Sequence, residues 1–172
     1  MEINLIQDEI IEEFSSFDDW MDRYSLLIDY GNGLEPFPES AKTEQNLIDG
    51  CQSKVWFTAE MQDGKVVYRG DSDAILVKGI VALLIRVLSG HTPKEIVDAD
   101  LYFIDEINLR EHLSPTRSNG LNAMLKQMRL FALTFRQFWI KNFELRIMNF
   151  EFKKILSLVG LLLLPYWIYA QE

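Results

Sequence analysis

The sequence predicts an α+β fold in which helices pack on a small antiparallel sheet. Apolar residues recur at helical spacing before residue 31, alternate with period two between residues 55 and 69, and return to helical spacing afterwards. An order of helices, then a hairpin, then helices is typical of the α+β class. The chain has 172 residues, 48% of them apolar, and no internal repeat, so we expect one hydrophobic core.

Two helices are predicted at the N-terminal end. Their apolar residues recur at helical spacing in two sets, Ile6, Ile10, Phe14 and Phe17, then Trp20, Tyr24, Leu27 and Ile28. The acidic pair Asp18 and Asp19 separates the two sets. Residues 31–38 are predicted to end the second helix, because glycine and asparagine suit left-handed caps and two prolines prevent continuation.

A β-hairpin is predicted over residues 55–69. The two faces of its first strand carry Val55, Phe57, Ala59 and Met61 on one side, and Trp56, Thr58 and Glu60 on the other. Asp63-Gly64 is a strong tight-turn signal, and residues 65–69 return as the second strand. A third strand is expected over residues 101–107.

Three more helices are predicted after the hairpin. An apolar helix from about Asp73 to Ser89, capped by Asp71 or Ser72 and ended by Gly90, should lie in the middle of the core. A capping box in residues 92–95, with proline at the first helical position, predicts a short helix through about residue 97. Residues 114 and 115 open a long helix whose buried stripe is Leu121, Met124, Leu125, Met128, Ala132 and Phe135.

Charge and cysteine content restrict the function. The net charge is −9, and residues 1–35 hold ten acidic residues against one base, Arg23, which argues against a nucleic-acid binder. An acidic segment permits a basic protein partner, although a solvated helix face is the more ordinary explanation. One cysteine allows neither an intrachain disulfide nor a cysteine-rich metal site. The N-terminus lacks the basic-then-apolar order of an export signal, so we expect a cytoplasmic protein.

Cys51 is the candidate reactive residue. It lies between a proline-bearing loop and a strand, in a stretch too polar to be core. Gly50 permits close backbone approach to the sulfur, and Ser53 and Lys54 are nearby donors that would favour the thiolate. The alternative is that Cys51 is simply a small buried apolar residue.

Three chemistries are feasible for a lone thiol. A hydrolase needs an oriented histidine base, yet His91 and His112 both look incidental, with surface or capping roles. A dithiol oxidoreductase needs a resolving cysteine, which the chain lacks. A one-thiol carrier, which holds sulfur as a persulfide and passes it on by exchange, fits the residues best.

Three segments resemble the SufE family of cysteine-desulfurase partners, including its CsdE branch. These are residues 50–56 (GCQSKVW), residues 70–80 (GDSDAILVKGI) and residues 113–121 (LSPTRSNGL). They occur in the family's order and the resemblance covers roughly residues 8–137. It implies an α+β fold related to the IscU-type scaffold and an accessory protein rather than an autonomous enzyme.

The resemblance also implies a role for Cys51 and a set of partners. Cys51 would accept a persulfide sulfur from a SufS-like or CsdA-like desulfurase, stimulate that enzyme, and deliver the sulfur to a SufBCD-type scaffold for iron–sulfur cluster assembly. The pyridoxal phosphate belongs to the desulfurase, so this chain should need no cofactor or metal of its own. Alternatives are a cysteine-nucleophile hydrolase or thiol peroxidase, and a non-covalent adaptor that does not need Cys51. A monomer and a homodimer both fit.

The matched motifs mark further residues that bind the partner or support the site: Gly50, Gln52, Ser53, Asp71, Asp73 and Arg117. Asp71 and Asp73 are expected to cap the central helix or to contact the partner. Arg117 is expected either to steer a persulfide or pair with the desulfurase, or to form a salt bridge with Asp71 or Asp73.

A persulfide needs protection from reductants, so Cys51 is expected to be partly shielded in the free protein and exposed when docked. Leu47, Ile48 and Trp56 are the expected apolar cover.

Residues 138–172 depart from the family pattern and are expected to form an atypical extension of a domain over residues 1–137. Residues 155–170 form a run of 16 uncharged residues, short of the roughly 20 that span a bilayer. From Met148 onward the layout is that of an export signal. The expected explanations are a non-native extension, a C-terminal membrane anchor, a helix folded onto the core, or an oligomer contact.

Overall fold

A computed structural model describes residues 2–138 and residue 141 of the protein. The chain divides into two compact units, Met1–Thr134 and Phe135–Glu172. The predictions about the apolar run of residues 155–170 lie outside the described residues. Within the described part of the chain, no helix combines the length and apolar character that a bilayer crossing requires.

The sheet is a single antiparallel hairpin of β1 (Val55–Gln62) and β2 (Lys65–Ser72), with Val55 opposite Ser72 and Gln62 opposite Lys65. Its turn has φ of 50° at Asp63 and 79° at Gly64. Positive φ at both central residues is the geometry that Asp-Gly favours in two-residue hairpins, so the predicted turn is confirmed. Of the predicted inner face, Val55 and Phe57 are buried, whereas Ala59 and Met61 are half-buried.

The described residues form six helices besides the hairpin: α1 (Glu2–Ser15), α2 (Trp20–Asn32), α3 (Ile75–Leu88), α4 (Pro93–Asp98), α5 (Phe103–Glu106) and α6 (residues 115–138). Two short 3₁₀ turns, Glu39–Ala41 and Glu44–Asn46, lead from α2 towards β1. Helices packed on an antiparallel pair of strands confirm the predicted α+β class. The capping box at the start of α4 is also confirmed, with both of its hydrogen bonds formed.

The core is organised around α3, most of whose residues are buried, as predicted. Helix α2 crosses α3 very closely, because a Cβ at Gly79 would lie 2.2 Å from the carbonyl oxygen of Leu27 and one at Gly31 would lie 2.9 Å from the amide nitrogen of Gly79. Gly31 therefore lies inside α2 rather than ending it. The predicted left-handed cap is wrong, since α2 continues to Asn32 and Gly33 has a φ of −80°.

The buried face of α1 differs from the prediction. Ile3, Gln7, Ile10 and Phe14 are buried, whereas Ile6 and Phe17 are only half-buried. Gln7 is tolerated in the core because its amide donates to the carbonyl of Asp100 at 3.0 Å and accepts from the amide of Phe103 at 3.3 Å. Because Gln7 is polar, the spacing of apolar residues did not indicate which face of α1 is buried.

The predicted third strand is wrong. Residues 103–106 form α5, and the buried residues of this segment are Leu101, Phe103, Ile104 and Ile107. Spacing of three and four residues buries one face of a helical turn, which a short apolar run does not distinguish from a strand. The predicted stripe of α6 is confirmed at Leu121, Met124, Leu125, Met128 and Ala132, while Phe135 is half-buried.

Candidate functional site

Cys51 lies on a loop of residues 49–54 that leads into β1, here called the Cys51 loop. Gly50 has a φ of 88°, a left-handed conformation that side chains other than glycine rarely adopt. The turn at Gly50 places the half-buried Cys51 beside α6. Gly50 therefore supports the site through its backbone conformation.

The C-terminal end of the Cys51 loop is fixed to the junction between β2 and α3. The amide of Lys54 donates to Oδ1 of Asp73 at 2.9 Å, and the hydroxyl of Ser72 donates to the carbonyl of Lys54 at 2.9 Å. The amide of Asp73 donates to the same carbonyl at 3.2 Å. Residues 72 and 73 thus clamp the backbone of Lys54. Because Asp73 makes this contact and α3 begins at Ile75 with no side-chain cap, its predicted role as a helix cap is wrong.

The other side of the Cys51 loop is held by α6. The hydroxyl of Thr116 donates to Oε1 of Gln52 at 3.2 Å, and the thiol of Cys51 donates a long hydrogen bond of 3.7 Å to the carbonyl of Gly120. Gln52 is exposed and Ser53 is half-buried. Cys51 is therefore positioned by hydrogen bonds from two parts of the chain that lie far from it in the sequence.

A small cavity of about 10 Å³ adjoins the thiol. Its lining combines apolar side chains of α3 and α6 with polar residues of the loop and of α6: Cys51, Gln52, Ser53, Val77, Ile80, Thr116, Arg117, Gly120 and Met124. The predicted partial shielding of Cys51 agrees with this geometry, but the predicted cover does not. Val77, Ile80 and Met124 line the cavity, whereas Leu47, Ile48 and Trp56 do not.

Burial raises the pKa of the Cys51 thiol above its usual value. The predicted donors do not counter this effect, since neither the Ser53 nor the Lys54 side chain hydrogen-bonds the sulfur within residues 2–138. In the free protein the protonated thiol is therefore favoured at neutral pH. Ionisation of this thiol therefore needs either a higher pH than an exposed cysteine does or a change in the surroundings of the sulfur.

Asp71 does not cap α3 but pairs with two lysines. Its carboxylate oxygens lie 3.0 Å from Nζ of Lys42 and 3.0 Å from Nζ of Lys78. Burial, the largest single effect, would raise the pKa of the Asp71 carboxyl, but the two lysines and the backbone of Ser72 together hold it below the ordinary value. Lys42 also lies 5.6 Å from the centre of the Trp56 ring. The ion pairs tie the segment that precedes the Cys51 loop to α3.

Arg117 lines the cavity and is exposed. The predicted salt bridge to Asp71 or Asp73 is not formed within residues 2–138, because Asp71 is paired with lysines and Asp73 accepts from the Lys54 amide. The Arg117 side chain therefore pairs with neither aspartate. It lines the same cavity as Cys51, the only cysteine in the sequence.

The two histidines lie away from the cavity. His91 is buried, which lowers its pKa, and its backbone pairs with that of Val66. His112 stacks on Trp20, with the ring centres 3.8 Å apart. The described residues that line the cavity include neither a histidine nor a carboxylate. Within residues 2–138, no group of histidine, cysteine and acidic side chains is arranged to hold a metal ion.

Sequence reasoning missed the residues that close the cavity from α3 and α6. One signal was available for Gly120, because an isolated glycine inside a helical pattern usually has a packing or functional reason. The sequence contains no signal that Val77, Ile80 and Met124 lie near Cys51, because each has the spacing of an ordinary core residue. Their relation to Cys51 appears only in the folded chain.

Comparisons with known proteins agree with this architecture. A SufE family model, described as an Fe-S metabolism associated domain, matches residues 8–132. A SufE-like protein of Synechocystis sp. is 46% identical over 128 residues, 74% of this chain and 80% of that protein. A SufE-like protein of Rhizobium meliloti is 38% identical over 127 residues, 71% of this chain and 91% of that protein.

The fold is also found among solved structures. The solution structure of a hypothetical protein from Thermus thermophilus matches with a TM-score of 0.63 at 24% identity, covering 75% of this chain and 94% of that one. At this level of identity the match shows a shared fold. The family model and the two relatives lead to one conclusion: the chain belongs to the SufE family, which is associated with iron–sulfur metabolism.

Proposed function

We propose that the protein is a sulfur carrier that accepts a persulfide from a cysteine desulfurase on Cys51, stimulates that enzyme by removing its product, and delivers the sulfur to an iron–sulfur cluster scaffold. The observation that carries this proposal is the setting of the single thiol. Cys51 is half-buried beside a small cavity whose apolar lining comes from α3 and α6, on a loop held by α6 on one side and by the end of β2 and Asp73 on the other. A thiol in such a setting is protected at rest.

The proposed transfer is a thiol–persulfide exchange. The Cys51 thiolate attacks the outer sulfur of the desulfurase persulfide, a new S–S bond forms on Cys51, and the S–S bond of the donor breaks. The donor cysteine leaves as a thiolate, which takes up a proton, while the proton of Cys51 passes to solvent or to a base of the desulfurase. No external oxidant or reductant is consumed. Delivery to the scaffold repeats the exchange with Cys51 as the leaving thiolate.

The raised pKa of Cys51 supports a docked rather than a free reaction. A protonated, half-buried thiol is a poor nucleophile, so random exchange with other disulfides and persulfides is suppressed. Docking to the desulfurase would expose the loop and favour the thiolate. The Cys51 loop would move between two fixed ends. One is Gly50, and the other is Lys54, whose backbone is held by hydrogen bonds.

The proposed partners follow from this chemistry and from the family. The donor is a SufS-like or CsdA-like desulfurase, whose pyridoxal phosphate supplies the carbon–sulfur bond cleavage, and the acceptor is a SufBCD-type scaffold. Exposed Arg117 beside the cavity is proposed to attract the negatively charged persulfide or an acidic group of the desulfurase. No cofactor is proposed for this chain. The reducing cytoplasm, where free thiols persist, is the proposed site of transfer.

An autonomous cysteine enzyme is the rival function. A hydrolase needs a base within hydrogen-bonding distance of its nucleophile, and the described residues around the Cys51 cavity supply neither histidine nor carboxylate. The arrangement therefore favours an accessory protein. A non-covalent adaptor is the second rival, and it differs from the carrier only in that Cys51 would be dispensable.

The test is incubation with a desulfurase and sulfur-labelled cysteine, followed by intact-mass measurement and peptide mapping. The wild-type chain should gain one sulfur at Cys51, and Cys51→Ser should gain none while still binding the desulfurase. Stimulation of the desulfurase that survives in Cys51→Ser would indicate the adaptor instead. Turnover of an ester or peroxide by the purified chain alone would indicate the enzyme.

A further inference from the structure

We propose that Gly120, with the cavity beside it, limits the load of Cys51 to a single sulfur atom. This inference rests on the proposed carrier function and concerns its specificity. Gly120 is a specificity-determining residue in this view, because the absence of its side chain leaves sheltered room for one added sulfur.

The space above Gly120 is occupied first by Cys51. A Cβ added at position 120 would lie 3.3 Å from Sγ of Cys51 and 3.8 Å from both Cα and Cβ of Cys51, and these are the three nearest heavy atoms apart from its chain neighbours and the nearby backbone of its own helix. Gly120 is buried within α6. Glycine in a helix interior is less favourable than alanine, so its presence there needs a packing reason. Contact with the thiol supplies that reason.

A thiol and a persulfide would respond differently to a side chain at this position. A distance of 3.3 Å is tight but can be relieved when the thiol shifts by a few tenths of an ångström. A persulfide places a second sulfur about 2 Å beyond Sγ, and this atom needs its own space. The same methyl group that a thiol tolerates therefore competes with the added sulfur.

The cavity is sized for one atom. Its volume of about 10 Å³ is close to the minimum that holds a single water molecule. A sulfur atom is somewhat larger than a water molecule and would fill this space. A longer polysulfide chain or an acyl group would have to displace the apolar walls, or extend past the exposed residues Gln52, Thr116 and Arg117 into solvent, where it is not sheltered. These walls belong to two core helices, and packed cores do not expand readily.

The walls also suit sulfur chemically. Val77, Ile80 and Met124 present apolar surface, and the thioether of Met124 is polarizable, like the sulfur that the cavity would receive. Water and small reductants gain little from such a surface. A single sulfur held there is retained until the Cys51 loop is displaced by a partner.

The test loads the full-length protein with inorganic polysulfide at alkaline pH, where a larger fraction of the free thiol is ionised, so that no desulfurase is needed. The Cys51 thiolate attacks one sulfur of the polysulfide, an S–S bond of the polysulfide breaks, and a shorter polysulfide leaves. Intact mass after removal of the reagent gives the number of sulfur atoms retained. The wild-type chain should carry one, and Cys51→Ser should carry none.

Gly120→Ala is expected to reduce the retained sulfur by about tenfold, the effect of a modest overpacking penalty on an occupancy ratio. Its far-ultraviolet circular dichroism and the alkylation rate of its unloaded thiol should stay close to those of the wild type. Gly33→Ala is the matched control, because its Cβ would meet only Tyr30 O at 3.5 Å and Asp29 O at 3.6 Å. This control should load like the wild type.

Val77→Ala makes the opposite change and keeps the test decisive if Gly120→Ala fails to fold. Loss of both γ-methyl groups enlarges the cavity, so a population with more than one added sulfur should appear. Equal loading of wild type and Gly120→Ala, or a Val77→Ala protein that still carries only one sulfur, would overturn the inference. Failure of the desulfurase to load the wild type, with chemical loading as expected, would overturn the carrier function instead.

Discussion

The backbone amide of Lys54 donates a 2.9 Å hydrogen bond to Oδ1 of Asp73, and this bond joins the Cys51 loop to the start of α3. The carbonyl of Lys54 accepts from Ser72 in return, so both polar groups of this residue's backbone are satisfied by the end of β2 and the residue after it. The thiol lies three residues before this anchor. Mobility of the loop is therefore restricted at its C-terminal end, and changes at Asp73 should reach Cys51.

Asp73→Ala is expected to loosen the loop, because it removes the acceptor for the Lys54 amide. The unfolding free energy should fall by about 1 kcal/mol, the usual net effect of one hydrogen bond. Alkylation of Cys51 by iodoacetamide should become faster. Asp73→Asn keeps an acceptor oxygen and is the control. An alkylation rate that is unchanged in Asp73→Ala would show that this anchor does not govern access to the thiol.

The ion pairs of Asp71 are expected to make the free energy of unfolding decrease at acidic pH. Its pKa is lowered in the folded state, so the stabilisation is present at neutral pH and is lost as the pH falls below about 4, through the folded pKa. Asp71→Asn should lower the unfolding free energy by about 1–3 kcal/mol at neutral pH. Urea denaturation of both proteins at neutral and acidic pH measures the difference, which should shrink in acid. A constant difference would contradict the ion-pair assignment.

Gly79→Ala is expected to disrupt the crossing of α2 and α3. The added methyl would lie 2.2 Å from the Leu27 carbonyl oxygen, a separation that only backbone movement relieves. The unfolding free energy should fall by about 3 kcal/mol or more. Gly33→Ala, which adds the same methyl at ordinary contact distance, should change stability little. Comparable urea midpoints for the two variants would refute the close crossing.

Arg117→Ala is expected to weaken desulfurase stimulation without affecting the fold. The side chain is exposed and pairs with neither Asp71 nor Asp73, so the unfolding free energy should change by no more than about 0.5 kcal/mol. Lys126→Ala removes another exposed positive charge from α6 and should leave stimulation unchanged. Equal stimulation by the wild type and Arg117→Ala would remove Arg117 from the proposed partner contact.

Alkylation of Cys51 should be slow in the free protein and faster in the docked pair. Burial raises the thiol pKa, so the half-point of the alkylation rate should lie at higher pH than for an exposed cysteine. A desulfurase whose own reactive cysteine is replaced should increase the rate several-fold at neutral pH, without forming a persulfide. Urea-unfolded protein provides the reference for an unshielded thiol. Identical rates with and without the desulfurase would contradict gating by docking.

Features that depend on neighbouring residues were accessible from the sequence. The Asp63-Gly64 turn, the alternating strand and the capping box of residues 92–95 each involve contacts between residues a few positions apart. Local geometry and hydrogen bonding decide such features before the chain collapses. The class of fold, and the loop position of Cys51, follow from the same local patterns.

Features that depend on contacts between residues far apart in the sequence could not be predicted from it. Gln7 is buried because residues 100 and 103 satisfy its amide, and residues 103–106 are helical because one face packs in the core. The close crossing at Gly31 and Gly79 likewise exists only between two helices. A pattern of apolar residues indicates which side chains are suited to burial. It does not indicate which other residues of the chain they pack against.

The lone cysteine and its glycine-containing loop could be read directly from the chain, because residue type and local spacing carry that information. The surroundings that raise the pKa of this thiol, the hydrogen bond from Lys54 to Asp73 and the small cavity beside the sulfur arise only when the chain packs around the loop. Burial and contact distance are properties of the packed chain, so the reactivity of Cys51 is decided by tertiary structure.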